Sequence, residues 1–495
     1  MKLMNRLLIF TFFVVIAGLI GLTVTASLNK PATFVADVPY ERAGHSSDEK
    51  QDYAERLSQA IQYQTISSKE ASDTDQKPFA EFNDFLFKSF SGALSKLTLE
   101  YSSEYSLLFS LKGKQPSLAP MLLIAHSDVV PAQNHRADTT SGWQYPPFSG
   151  HIDDQYVWGR GALDNKSAIL AIFEALEKRA RSNAEDSHRT IYIAVTHDEE
   201  VGGYRGAKKI ANYLKDNNIR PYFILDEGQA VTQGVIPNVE KPVALIGVSQ
   251  KGYMTVELSA KGEPGHSMMP PEATAISSIS HAINLLTNSP MSPKMTGPVK
   301  SMFRELSHEM GFPTNVALFH NWLSEPLLIA QLEKNPATNA LIRSSMSVNV
   351  ISGGIADNIL PKQVTSLLNY RIAPHNTSDE ILAHIRKAID GTGVEMKVVS
   401  AIEEAAPITD HKGDAYQIVE QAITDIFPDV IVAPSITLST TDSRHFADLS
   451  PNILRFCPIL LNKRDLNRFH GVDERISREN YIQMIDFYGR LIDKI

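Results

Sequence analysis

The sequence predicts an α/β fold, a mostly parallel sheet with helices on both faces, interrupted by a smaller inserted α+β unit. Three observations point there. Short uncharged apolar runs at residues 121–125, 191–195 and 223–225 suit strands buried on both faces. Helical patterns separate these runs, most clearly at 167–180, where Ile169, Leu170, Ile172, Phe173 and Leu176 share a face, and again at 206–215. Strands alternating with helices imply parallel neighbours joined by crossovers. After Gly247 the texture changes: 253–259 and 364–372 alternate apolar and polar residues, helices are expected at 274–286 and 378–389, and a long irregular stretch follows the first helix. The α/β texture resumes near Ala405.

These shifts divide the 495 residues into a first segment at 1–28, a linker at 29–51, a catalytic domain built from 52–247 and 405–495, and an inserted lid or dimerisation domain at 248–404. Lys2 and Arg6 precede an uncharged apolar run at 7–24, followed by the small-residue site Val24-Thr25-Ala26. The run is near the length that spans a bilayer, so it reads as a signal anchor, with a cleaved signal peptide as the alternative. Either way the basic flank stays in the cytoplasm and the remainder is exported, membrane-anchored with a periplasmic catalytic domain or secreted.

The net charge of −9, with no long Lys/Arg run, excludes a nucleic-acid partner, because phosphate binding needs a basic face. The single cysteine, Cys457, excludes an internal disulfide and a thiolate zinc cluster, so a transition metal must be held by imidazole and carboxylate.

Ligand-type residues gather where the apolar runs end. The first run leads into His126-Ser127-Asp128, the second into His197-Asp198-Glu199-Glu200, and the third into Asp226-Glu227-Gly228. In open α/β sheets the strand carboxyl ends build the active site. Between the first two lies Gly159-Arg160-Gly161 with Asp164-Asn165, and His470-Gly471-Val472-Asp473-Glu474 closes the series. Each alone is an ordinary turn or surface group. Together they would bury several carboxylates around one cleft, at several kcal/mol per unpaired ion unless cations compensate. Oxygen and imidazole ligands without sulfur suit a catalytic zinc, and also cobalt or manganese.

With Gly202-Gly203 and Gly265-His266-Ser267 added, this ordered series resembles the motifs of M20-family metallopeptidases over nearly the whole chain after the linker. The likeness, including Thr441-Asp442-Ser443-Arg444-His445, is strongest to the branch of carboxypeptidase S and the N-acyl-amino-acid amidohydrolases. The resemblance implies a zinc-exopeptidase-like sheet with a ferredoxin-like lid and two Zn2+ ions. It implies that Asp164 bridges them, with His126 and Asp226 completing one site and Glu200 and His470 the other. It also implies that Glu199 is the general base, that Asp128 orients His126, and that the Asp164–Asn165 peptide is cis. Asn165 departs from the acidic residue more usual after the bridging aspartate. From the lid, His266 would stabilise the oxyanion, while Asn358 and Arg371 would hold the substrate's carboxylate.

Physical logic supports the division of labour. A water shared by two cations loses its proton near neutral pH, and an uncoordinated carboxylate must accept it. Adjacent Glu199 and Glu200 would face opposite ways in a strand, so the chain must bend, and Gly202-Gly203 permit that. The expected activity is hydrolysis of an amide beside a free C-terminal carboxylate, on a short peptide, with a possible homodimer through the lid. The alternatives are hydrolysis or synthesis of N-fatty-acyl amino acids, and a tethered binding protein without turnover.

Overall fold

The computed structural model describes residue 25 and residues 44–132, 142–182 and 184–495. The segment expected to enter a membrane therefore lies outside the described residues apart from Thr25 and, like much of the linker, has no structural description here. Among the described residues no helix is long and apolar enough to cross a membrane. The globular part begins inside the stretch read as linker. Helix Ser47–Gln62 starts there because Ser46 accepts the Glu49 backbone N–H and Glu49 returns the bond, a capping box.

Among the described residues the central sheet has eight strands in the order Leu97–Ser103, Ser106–Leu111, Ile191–Thr196, Met121–His126, Phe223–Gln233, Ile453–Asn462, Val243–Gln250, Ile431–Thr437. Its heart is parallel: Met121–His126 runs with Ile191–Thr196 and Phe223–Gln233, and Ile453–Asn462 runs with Phe223–Gln233. The first hairpin enters antiparallel at one edge. Alternation along Met121–His126 shows why both faces are covered. Met121, Leu123 and Ala125 join the core under helices Lys166–Arg181 and Arg478–Asp493, whereas Leu122 and Ile124 pack with Ile210, Ala211 and Leu214 of helix Ala207–Asp216. No residue of this strand is left to solvent, hence no polar residue before its end.

The insertion forms a second, antiparallel sheet of four strands in the order Ser345–Ser352, Gln363–Ile372, Gly252–Lys261, Glu395–Val398. Helices Ala275–Asn288 and Ser378–Ala388 pack on it through Ile279, Ala282, Leu286, Ile381 and Ile385. Strand, helix, two strands, helix, strand is the ferredoxin-like arrangement that the resemblance implied.

The stretch expected to be irregular is instead helical, with helices Gly297–Ser307, Thr314–Phe319, Asn321–Leu332 and Pro336–Ile342. Their apolar residues Val299, Met302, Leu306, Leu332 and Ile342 cover Ala433 and Ile436 of the sheet's edge strand. Helix Asn321–Leu332 also carries apolar residues on its outer side, so its sequence lacks the one-sided period that marks an amphipathic helix.

Candidate metal centre and active site

His126 ends its strand and is buried. Its Nδ1 lies 3.0 Å from the Asp128 backbone oxygen and 3.3 Å from the Asp128 carboxylate. That leaves Nε2 aimed into the cleft, 3.0 Å from Asp164 Oδ1 and 3.4 Å from Glu227 Oε2. The other oxygen of Asp164, Oδ2, is 3.2 Å from His470 Nε2, which in turn lies 3.2 Å from Glu200 Oε1. A single carboxylate thus faces two imidazoles from opposite sides. Two triads that could each hold a metal ion share Asp164: His126 with Glu227, and Glu200 with His470.

Of the two adjacent acids Asp226 and Glu227, the geometry brings one to this group. Glu227, not Asp226, stands against His126 and Asp164. Opposite Asp226 and Gln229 the neighbouring strand offers consecutive residues Arg455 and Phe456, so Glu227 and Gly228 bulge out of the ladder. Gly228 has φ +146°, which favours glycine. A bulge re-aims side chains, and here it sends Glu227 into the cleft. Asp226 is buried beside it, accepting the Ser443 backbone N–H at 2.7 Å, within the field of Arg455.

Asp128 is fully buried and saturated, accepting from the Ser67 hydroxyl and from the backbone N–H groups of Glu199 and Glu200. It therefore fixes the imidazole of His126 and the loop bearing the two glutamates at once. That loop is a single 3-10 turn, Glu199–Val201, ended by left-handed Gly202 and Gly203 at φ +119° and +70°. A side chain on Gly203 would strike Asp442. The bend separates the pair: Glu200 meets His470, whereas Glu199 belongs to neither triad. Asp198, from the same motif, is structural, accepting the N–H groups of Arg205 and Gly206 at the start of the next helix.

The Asp164–Asn165 peptide is cis. Asn165 donates its side-chain amide to Glu227 Oε2 at 2.5 Å. An amide can make that bond where a second carboxylate would repel, so the departure from the usual acid complements a neighbouring glutamate.

Glu474 was quoted in the last motif without a role, and the structure gives it one. It is fully buried, binds the Arg160 guanidinium at 2.5 Å, and accepts the N–H groups of Gly161, Leu163 and Asp164. Arg160 also reaches the backbone oxygen of His470. Glu474 thereby ties the Asp164 loop to the His470 loop, although 310 residues separate them. Glu474→Ala is expected to cost about 3–5 kcal/mol by stranding a buried guanidinium, read as a lowered unfolding midpoint in denaturant.

The electrostatics test whether cations fit. Burial, reinforced by Glu227, pushes the Glu199 carboxyl well above its usual range. Burial and the Asp164 charge raise Glu227 to about 7. Burial also raises Glu200, whose buried Oε1 meets only the His470 imidazole, at ion-pair distance and without hydrogen-bond geometry among the described residues. Asp164 goes the other way: the two imidazoles outweigh its burial and hold it well below the usual carboxylate range. A buried surplus of acid, with a carboxylate oxygen that lacks a well-aligned hydrogen bond, is the environment that divalent cations relieve. The residues fit such ions.

The lid residues stand apart from this cluster. Gly265–His266 pairs with Ile359–Leu360, and the Asn358 backbone oxygen accepts the Ser267 N–H, so His266 and Asn358 share one small exposed ladder. Arg371 lies on strand Gln363–Ile372 with its guanidinium 5.0 Å from the Tyr253 ring centroid. The structure joins the first two to each other and neither to the triads.

Fold and site together define a metal-dependent hydrolase with its centre at the carboxyl ends of a mostly parallel sheet. Residues 122–494 match the profile of "Peptidase family M20/M25/M40". The chain is 37% identical over 443 residues to "Probable carboxypeptidase S-like 2" of Dictyostelium discoideum, covering 89% of this chain and 84% of that one. It is also 37% identical over 455 residues to "N-fatty-acyl-amino acid synthase/hydrolase PM20D1" of Mus musculus, covering 90% and 88%. Its fold is similar to that of the M20 family metallo-carboxypeptidase Sso-CP2 from Sulfolobus solfataricus, with TM-score 0.63 and 17% identity, covering 89% and 98%. The chain belongs to the M20 peptidase family and is a metallo-carboxypeptidase or amidohydrolase of that family.

Proposed function

We propose that the cluster holds two divalent cations, zinc first with cobalt or manganese as alternatives, one on His126, Asp164 and Glu227 and the other on Asp164, Glu200 and His470. The shared carboxylate carries this reading, since each Asp164 oxygen faces a different imidazole. Such ions, when bound, acidify the attacking water and polarise the amide carbonyl. Glu199, outside both triads, takes the proton from water and passes it to the leaving nitrogen. Asp128 keeps His126 and Glu199 in register, and Glu474 does the same for Asp164 and His470.

The substrate is an amide next to a free carboxylate, first the last peptide bond of a short peptide. The names of the relatives also favour a second reading, hydrolysis or synthesis of N-fatty-acyl amino acids. From the lid, His266 serves the developing oxyanion, and Asn358 and Arg371 serve the carboxylate. Residues of this kind close over substrate when the lid moves. A binding protein without turnover is disfavoured, because it need not have kept Glu199 and both triads.

The apolar run at 7–24 supports an exported domain, anchored or released after cleavage. The outer lid strand Ser345–Ser352 has an open edge with Val350 and Ile351 exposed, which supports a homodimer through the lid. Hydrolysis of dipeptides and of long-chain N-acyl amino acids, followed with and without chelator, tests the function. Chelator-sensitive cleavage of one class is expected. Cleavage of neither after adding zinc or cobalt would refute the substrate reading.

A further inference from the structure

A guanidinium and a carboxylate meet at the seam between lid and central sheet, with a second guanidinium within the range of their charges. Arg444, in the turn Asp442–Phe446, lies beside the loop that carries Glu199: a Cβ placed on Gly202 would stand 3.9 Å from its Nη2. The Arg444 side chain is only 10% exposed, yet its Nε has no hydrogen-bond partner among the described residues. Its nearest carboxylate is Glu403, at 3.6 Å, ion-pair rather than hydrogen-bond distance. Burial works against the charge of Arg444, and the acids Glu403, Asp442 and Glu199 outweigh it. Arg371, from the lid, is close enough to feel the charges of both Glu403 and Arg444.

Glu403 belongs to neither body alone. Its backbone pairs in both directions with Tyr253 of the lid strand, whose ring lies against Arg371. Its side chain crosses the seam, accepting the Tyr204 hydroxyl at 2.9 Å beside Arg444. A guanidinium offers a planar fork that matches a carboxylate through two parallel bonds, and Arg444 here is left without them. The site is shaped for an acid that the protein itself meets only loosely.

We propose that Arg444 binds the substrate's free carboxylate together with Arg371, and that Glu403 is an internal carboxylate that neutralises Arg444 until substrate displaces it. The inference rests on the reading that the scissile amide adjoins a free carboxylate, and it assigns a specificity residue on the sheet side of the seam. Its chemistry requires an acid: a substrate ending in a neutral carboxamide cannot neutralise Arg444 and cannot displace Glu403.

The test compares kcat and KM for a dipeptide and for the same dipeptide with its C-terminus amidated, using the metal-loaded full chain. Wild type should prefer the acid. Arg444→Met should raise KM for the acid by about 10- to 100-fold, the worth of a charge-assisted hydrogen bond, and leave the amidated substrate unchanged. Arg444→Lys should recover part of the preference, because it keeps the charge and loses the fork. Glu403→Gln should lower KM for the acid, since the internal competitor is gone. Equal losses on both substrates in the Arg444 variants would mean a merely structural seam and overturn the proposal. Should Arg444→Met not fold, an unchanged acid preference in both Arg444→Lys and Glu403→Gln would overturn it equally. A wild-type enzyme that turns over both substrates alike would remove the carboxylate reading itself, and this proposal with it.

Discussion

Glu199→Gln is expected to lower kcat by about 10²- to 10⁴-fold, the usual worth of a positioned general base, while the protein keeps its fold and its metal. The geometry separates these effects. Glu199 is outside both triads, and its loop is held by backbone N–H bonds to Asp128, which an amide side chain leaves intact. Single-turnover kinetics together with elemental analysis would check the result. A variant that loses metal and activity together would move Glu199 into the coordination sphere, whereas undiminished turnover would assign the proton transfer elsewhere.

The second large effect separates two neighbouring acids. Glu227→Ala removes the carboxylate 3.4 Å from His126 Nε2 and the partner of Asn165, so the ion on that side should bind on the order of a hundredfold more weakly or worse, with activity falling in step. Asp226→Asn should keep both metals, because that side chain points at the Ser443 N–H. The checking measurement is activity against free zinc in a metal buffer, for each variant. The reverse outcome, with Asp226→Asn losing metal and Glu227→Ala retaining it, would restore the simple strand reading.

The contrast between these two residues shows where the sequence stops being legible. Burial on both faces leaves a clear mark, so Met121–His126 and Ile191–Thr196 could be read from their uncharged runs, and the ligand-type residues after them drew attention to one sheet edge. A bulge leaves no such mark. Asp226 and Glu227 are adjacent acids, and which one faces the cleft depends on where Phe223–Gln233 breaks register with its neighbour. Gly228 was the available signal, since a glycine inside a strand often accompanies a bulge.

Glu474 was hidden for a different reason. Its partners are backbone N–H groups of a loop some three hundred residues earlier, and no local pattern reports such an encounter. Arg444 and Glu403 share that difficulty, because each lies in a connection whose meaning appears only when lid and sheet meet. The helices between 297 and 342 were missed because several of them are short and Asn321–Leu332 is apolar on more than one side, which erases the periodic stripe. The capped lid helices show the opposite case: Thr274 and Thr377 begin Ala275–Asn288 and Ser378–Ala388 with full capping boxes, and the sequence placed both helices closely.

Everything mechanistic depends on a pair of cations shared through Asp164. Elemental analysis of the purified full chain, after dialysis against chelator and then reconstitution with zinc, addresses this directly. Two zinc ions per chain are expected for wild type, with Asp164→Ala failing to retain the pair. Reconstituted wild type that holds no stoichiometric metal, or Asp164→Ala that still holds two ions, would contradict a bridged centre.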